Sequence, residues 1–159
     1  MFIDMQNIFT GGTAIPGDTT NTNTIAQSLA QVVGTYYSTN SIDMGLPGTD
    51  ANANSVRHDL SQSMAFVDAR IVATFASAGA ATLQVQIIND TNANLTTAPV
   101  IVDSTQVLSL ATLVVGYKFR FTLASSPLAN QFLGLKFIIA GATTTAGLVV
   151  ASLQPTNHP

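Results

Sequence analysis

Two histidines and eight aspartates are the titratable groups with which this 159-residue chain could do acid–base or metal chemistry; it has no Glu and no Cys. A hydrolytic site needs such groups to converge within hydrogen-bond reach of a reacting atom. His58 stands in Arg57-His58-Asp59, where neighbouring side chains on a strand diverge, so the spacing builds no His–Asp pair. His158 lies in the proline-bounded tail PTNHP and reads as solvated. There is no G-x-S-x-G elbow, no phosphate loop and no dinucleotide fingerprint. Lacking Cys removes thiolate nucleophiles and Cys-ligated zinc, and lacking Glu and H-x-H removes the His/Glu metal triad of jelly-roll enzymes. The expectation is a protein that is not an enzyme, with no catalytic residues, no cofactor and no metal.

Two segments imitate the start of a calcium loop, Asp50-x-Asn52-x-Asn54 and Asp90-x-Asn92-x-Asn94. The glycine needed at the sixth position is Ser55 or Leu95, and the bidentate Glu needed at the twelfth is Ser61 or Ile101. Asx residues that cap turns are the better reading. The sequons at Asn89 and Asn94 read as chance, because MFIDMQNIF has no basic n-region, carries Asp4 and does not resemble a secretory signal; the mature chain is expected to begin near Met1.

The five bases are Arg57, Arg70, Lys118, Arg120 and Lys136, and the net charge is −3. No basic stripe exists to neutralise a phosphate backbone, so nucleic acid is not an expected partner. Lys118 and Arg120 share the polar face of one predicted strand. They either dock an acidic patch on a partner or keep a strand edge wet.

The elements that carry these groups follow from composition. Charged residues are 8% of the chain against about 25% in ordinary domains, while 47% are hydrophobic. Helix surfaces are built from Glu, Lys, Gln and Arg, whereas Thr, Asn and Ser suit pleated surfaces and turns, so the chain reads as all-β. Val67, Ala69, Ile71, Ala73 and Phe75 alternate with Asp68, Arg70 and Thr74. Leu83, Val85 and Ile87 alternate with glutamines, and Tyr117, Phe119, Phe121 and Leu123 with Lys118, Arg120 and Thr122. Further strands are predicted at Tyr36 to Met44, in the apolar runs Val100 to Val102 and Val107 to Val115, and over Phe132 to Ala140 and Leu148 to Leu153.

About eight antiparallel strands with turns between them suit a jelly-roll β-sandwich in one domain. Residues 1–35 read as an extended arm, a loop and a short helix (Ile25, Leu29, Val32 and Val33 behind Thr24, stopping at Gly34), 36–154 as the β core and 155–159 as a tail. Gly45 to Asn54 reads as a loop. The apolar stretch 132–153 is long enough to cross a membrane, but Lys136 and the Gly141 to Gly147 turn split it into two strands, so no membrane partner is expected.

A free domain of this size normally surrounds its core with charge. Thr, Asn, Ser and Ala surfaces desolvate cheaply, so other subunits are expected to cover much of this exterior. The arm residues Phe2, Ile3, Ile8 and Phe9 either strap across a neighbour or form a first strand on their own sheet. Together with Lys118 and Arg120 they are the candidate partner contacts.

The opening Ile3 to Thr10 (IDMQNIFT), the block STNSIDMG from Ser38 to Gly45, the strand Thr82 to Ile88 and the ending FLGLKFIIAGATTTAGLVVASL resemble the capsid cement proteins of short-tailed bacteriophages. Gly11 to Tyr37 is longer than that family's usual bridge. The resemblance implies a jelly-roll homodimer on the outer surface of a phage head, at two-fold and quasi-two-fold positions. Its partners would be the major capsid protein and a second copy of itself, with synthesis in the host cytoplasm and residence in the virion. The competing expectations are a carbohydrate-binding jelly roll of a tail or fibre, for which only Tyr36, Tyr37 and Tyr117 could line a sugar site, and another self-assembling structural subunit.

Overall fold

The computed structural model describes residues 8–12, 25–45, 48–49, 55–56, 65–123 and 128–155. Its strands are β1 (Gln27–Ser28), β2 (Gly34–Tyr37), β3 (Ile42–Asp43), β4 (Gly48–Thr49), β5 (Ser55–Val56), β6 (Ala65–Ser77), β7 (Thr82–Asp90), β8 (Val100–Ser104), β9 (Leu108–Ser109), β10 (Lys118–Thr122), β11 (Phe132–Ala140) and β12 (Thr144–Pro155). One sheet runs β1-β12-β6-β10; the other runs β2-β11-β7-β8, with β3 also on β11 and β9 also on β7. All the pairings are antiparallel.

Taking β2 with β3 and β8 with β9 as interrupted single strands leaves eight positions, four in each sheet. Labelled B to I in chain order, they fall as B-I-D-G and C-H-E-F, which is the jelly-roll arrangement. The fold class expected from the sequence is therefore the one found. β4 and β5 pair antiparallel between β3 and β6; β4 lies within the Gly45 to Asn54 segment read as a loop, and β5 just beyond it.

The strand alternation is what builds the core. Val67, Ala69, Ile71 and Phe75 of β6, Leu83, Val85 and Ile87 of β7, Phe119 and Phe121 of β10, Leu133, Leu135, Phe137 and Ile139 of β11, and Val149 and Ala151 of β12 all bury into one cluster between the sheets. Phe119 and Phe121 meet edge to face, with ring centroids 5.9 Å apart. Each buried Leu, Ile or Phe contributes about 1.5–3 kcal/mol of transfer free energy, which explains why the period-two pattern dominates the architecture.

Two expectations need correction. No helix forms over Ile25 to Val33. Gln27 and Ser28 pair with Val149 and Leu148 instead, and the Leu29 N–H donates to the Gly147 carbonyl at 2.9 Å. The open side of β12 offers unpaired backbone groups that a strand satisfies and a helix cannot. Ala26 and Leu29 are buried while Val32 and Val33 face solvent, so the apolar spacing does not describe one face of a helix. Gly34 opens β2 rather than stopping a helix, and the β core begins within the segment assigned to the arm. Thr24, the proposed cap, lies outside the described residues. The run Val107 to Val115 is the second correction, since only Leu108–Ser109 is strand and the remainder turns back toward β6.

The apolar stretch 132–153 folds as β11, a turn and β12, and no helix among the described residues is long and apolar enough to cross a membrane. β12 carries register shifts at Ala146 to Val149, around Gly147. Gly147 has φ +144°, and a Cβ there would lie 2.7 Å from the Phe75 ring. Glycine is needed for both reasons. Gly147→Ala is expected to destabilise the domain by about 1–3 kcal/mol, with Phe75→Leu recovering part of the loss. Chemical denaturation of the single and double variants checks this; an unchanged single variant would show that the bulge tolerates a side chain.

Candidate functional site

Most of the positions singled out for chemistry lie outside the described residues: His58, His158, Arg57, Asp59 and the Asp50 to Asn54 segment, and Phe2 and Ile3 with them. Among the described residues no three His, Cys, Asp or Glu side chains come together as metal ligands would. Asp90 is fully buried and its carboxylate accepts from the backbone N–H groups of Asn92 (3.1 Å), Thr97 (3.1 Å) and Ala98 (3.2 Å). It closes the loop after β7 as an Asx cap, the role read from the sequence. Asn89 is equally committed. Its side chain donates to the carbonyls of Asn130 and Phe132, both at 2.9 Å, and accepts from the Asn130 N–H at 2.6 Å.

At the rim of the second sheet, the Gln131 amide donates to both Asp43 oxygens (2.9 and 3.0 Å) and the Gly45 N–H to one (2.8 Å). The Gln131 bond first and the Gly45 bond second hold the Asp43 carboxyl below its ordinary value. Whatever stability they add is present above about pH 4, the unfolded carboxylate range, and is lost as pH falls through the lowered value.

Ile8 and Phe9 are used by their own chain. Ile8 bridges Ser152, the Phe9 N–H donates to the Ala151 carbonyl at 3.0 Å, and the Phe9 carbonyl accepts from the Asn40 N–H at 2.9 Å. The Phe9 side chain is 0% exposed within the inter-sheet core. Of the two readings of the arm, these residues follow the first strand on its own sheet: they continue the edge that β1 begins along β12.

Lys118 and Arg120 both point outward from β10, the end strand of the first sheet. Register sets them opposite Arg70 and Asp68 of β6. The Arg120 guanidinium lies 3.5 Å from the Asp68 carboxylate and 4.0 Å from the Phe66 ring centroid. Its side chain remains 62% exposed, so the ion pair adds little to stability. Arg70 had an outward-facing sequence signal, but its place beside Lys118 depends on a pairing that alternation does not specify.

Two of the three tyrosines put forward for a sugar site are engaged within the chain. Tyr117 packs toward the core against Phe119, with centroids 6.3 Å apart, and the Tyr36 hydroxyl donates to the Val32 carbonyl at 2.8 Å. Exposed apolar groups are spread over three places: Val100, Ile101 and Val107 on and after β8, Val32 and Val33 before β2, and Val114 and Val115 before β10.

These features define a jelly-roll domain with a charge-poor sequence, scattered exposed valines and one sheet face that gathers three bases. Residues 26–153 match the family model Bbp16, so the chain belongs to the Bbp16 family, a membership that points to a phage-related protein. No curated protein matches the chain.

Because Phe9 anchors the chain's own core, Phe9→Ala is expected to destabilise the isolated protein by about 3–5 kcal/mol in thermal or urea unfolding. A variant as stable as the parent would show that this part of the arm is free to leave for a neighbour.

Proposed function

We propose that the chain is a capsid cement protein that binds the outer surface of an icosahedral phage head as a homodimer, bridges neighbouring major capsid subunits and stabilises the head against internal DNA pressure. The observation that carries the reading is the strand order B-I-D-G and C-H-E-F, combined with an exterior nearly free of charge. Membership of the Bbp16 family and the resemblance of the opening and closing segments to phage cement proteins support it.

The physics of such a role is multivalent. A dimer that touches subunits on both sides of a symmetry axis must lose one set of contacts before those subunits part, so modest interfaces act together. A micromolar contact is worth about 8 kcal/mol, and repetition over a shell multiplies its effect. Thr, Ser and Asn at such contacts lose little hydration, and the rigid sandwich transmits load without unfolding.

Heads assembled with this protein are expected to rupture at a higher temperature, and at a higher chelator concentration, than heads assembled without it. Light scattering and release of packaged DNA measure both thresholds. Equal thresholds would overturn the role.

A further inference from the structure

Building on the cement-protein reading, we infer that the outward face of β6 and β10, centred on Arg70 and Lys118, is the surface that meets the shell, and that it receives an acidic segment of the major capsid protein. Lys118 and Arg70 are directly opposed across the antiparallel ladder and both are exposed. Like charges opposed in this way destabilise a sheet. No acid among the described residues pairs with either; Asp68 is engaged by Arg120, and the neighbour of Arg70 on its other side, Val150 of β12, is apolar. Guarding a strand edge accounts for Lys118 and Arg120 on the end strand, but not for Arg70, which lies on an inner strand.

Behind Arg70 is a depression of about 190 Å³ lined by Arg70, Ile71, Val72, Val115 and Gly116. Its wall is fixed in advance. The Gly116 N–H donates to the Ile71 carbonyl and the Ile71 N–H to the Tyr117 carbonyl, both at 2.9 Å, and the Val115 N–H donates to Thr74 Oγ1 at 3.1 Å. Val115 stands exposed at the rim. Two cations with no acidic partner among the described residues, beside a small apolar hollow, suit a carboxylate carried next to an aliphatic side chain, and a preorganised wall lowers the ordering cost of binding. Three of the five bases converge on this face of a chain whose net charge is −3, so the complementary partner is acidic.

The test uses heads assembled without this protein and measures co-sedimentation of the purified chain across a salt series. Arg70→Ala with Lys118→Ala should weaken binding about tenfold or more and flatten its salt dependence, while Lys136→Ala, on the opposite sheet, should bind as the parent does. Lys118→Gln alone provides the same comparison should the double variant fold poorly, with an intermediate loss expected. Parent-like binding by both patch variants, or an equal loss in Lys136→Ala, overturns the site. So does finding that the double substitution abolishes self-association or duplex DNA retention while leaving head binding intact. If the parent chain itself fails to bind heads, the cement-protein reading fails first, and the two failures are thereby told apart.

Discussion

The pairing of β12 with β6 on one side, and with β1 and Ile8–Phe9 on the other, is the contact on which the sandwich depends. It joins the end of the chain to its middle and to its beginning in one sheet, so neither half can bury its apolar face without the other. Thr10 reinforces the junction: its hydroxyl donates to the Ile25 carbonyl at 2.7 Å and accepts from the Ala151 N–H at 3.1 Å. Thr144 does the same nearer the turn, donating to the Leu29 carbonyl at 2.5 Å and accepting from the Gln31 N–H at 3.0 Å. Hydroxyls thus stitch an edge in a domain with one ion pair, Arg120–Asp68, among its described residues.

Much of this was legible in the residues, because a strand's inward face is a local property. The alternation in Val67 to Phe75 and in Tyr117 to Leu123 predicts which side chains bury, except that Ala73 is only partly buried and packs with Ala26, Leu148 and Val150 outside the inter-sheet core, and Phe132 to Ala140 is the strand expected. What could not be read is pairing. Gln27 and Ser28 are strand because β12 has an open edge, and nothing within Thr24 to Gly34 announces that edge. Register likewise decides that Lys118 meets Arg70 and that Arg120 meets Asp68; the residue pattern placed Lys118 and Arg120 on one face but gave no sign of Arg70 beside them.

Leu95 illustrates a further limit. It occupies the left-handed region, at φ 62°, and is nearly wholly buried, with its side chain lying over Gly134, where a Cβ would overlap it. Read locally, Leu95 occupies a failed calcium-loop position; in the fold it is a lid over the outer face of β11. A strained backbone that persists in this way is held by the surrounding contacts, here the Asp90 cap and the glycine beneath.

The exterior gives these details a common sense. Two sheets bury their inner faces against each other, and the outer faces carry Thr, Ser, Gln and some aliphatic groups, with Arg70, Lys118, Arg120 and Asp68 gathered on one sheet and Lys136 on the other. Such a surface is easily desolvated.

The most direct measurement is a density map of whole phage particles by electron microscopy at a resolution that shows strands. An eight-stranded domain of this topology, seated outside the capsid floor with the β6 and β10 face toward it, is the predicted result. Particles whose shells lack the domain, or that carry it only in the tail, would contradict the account.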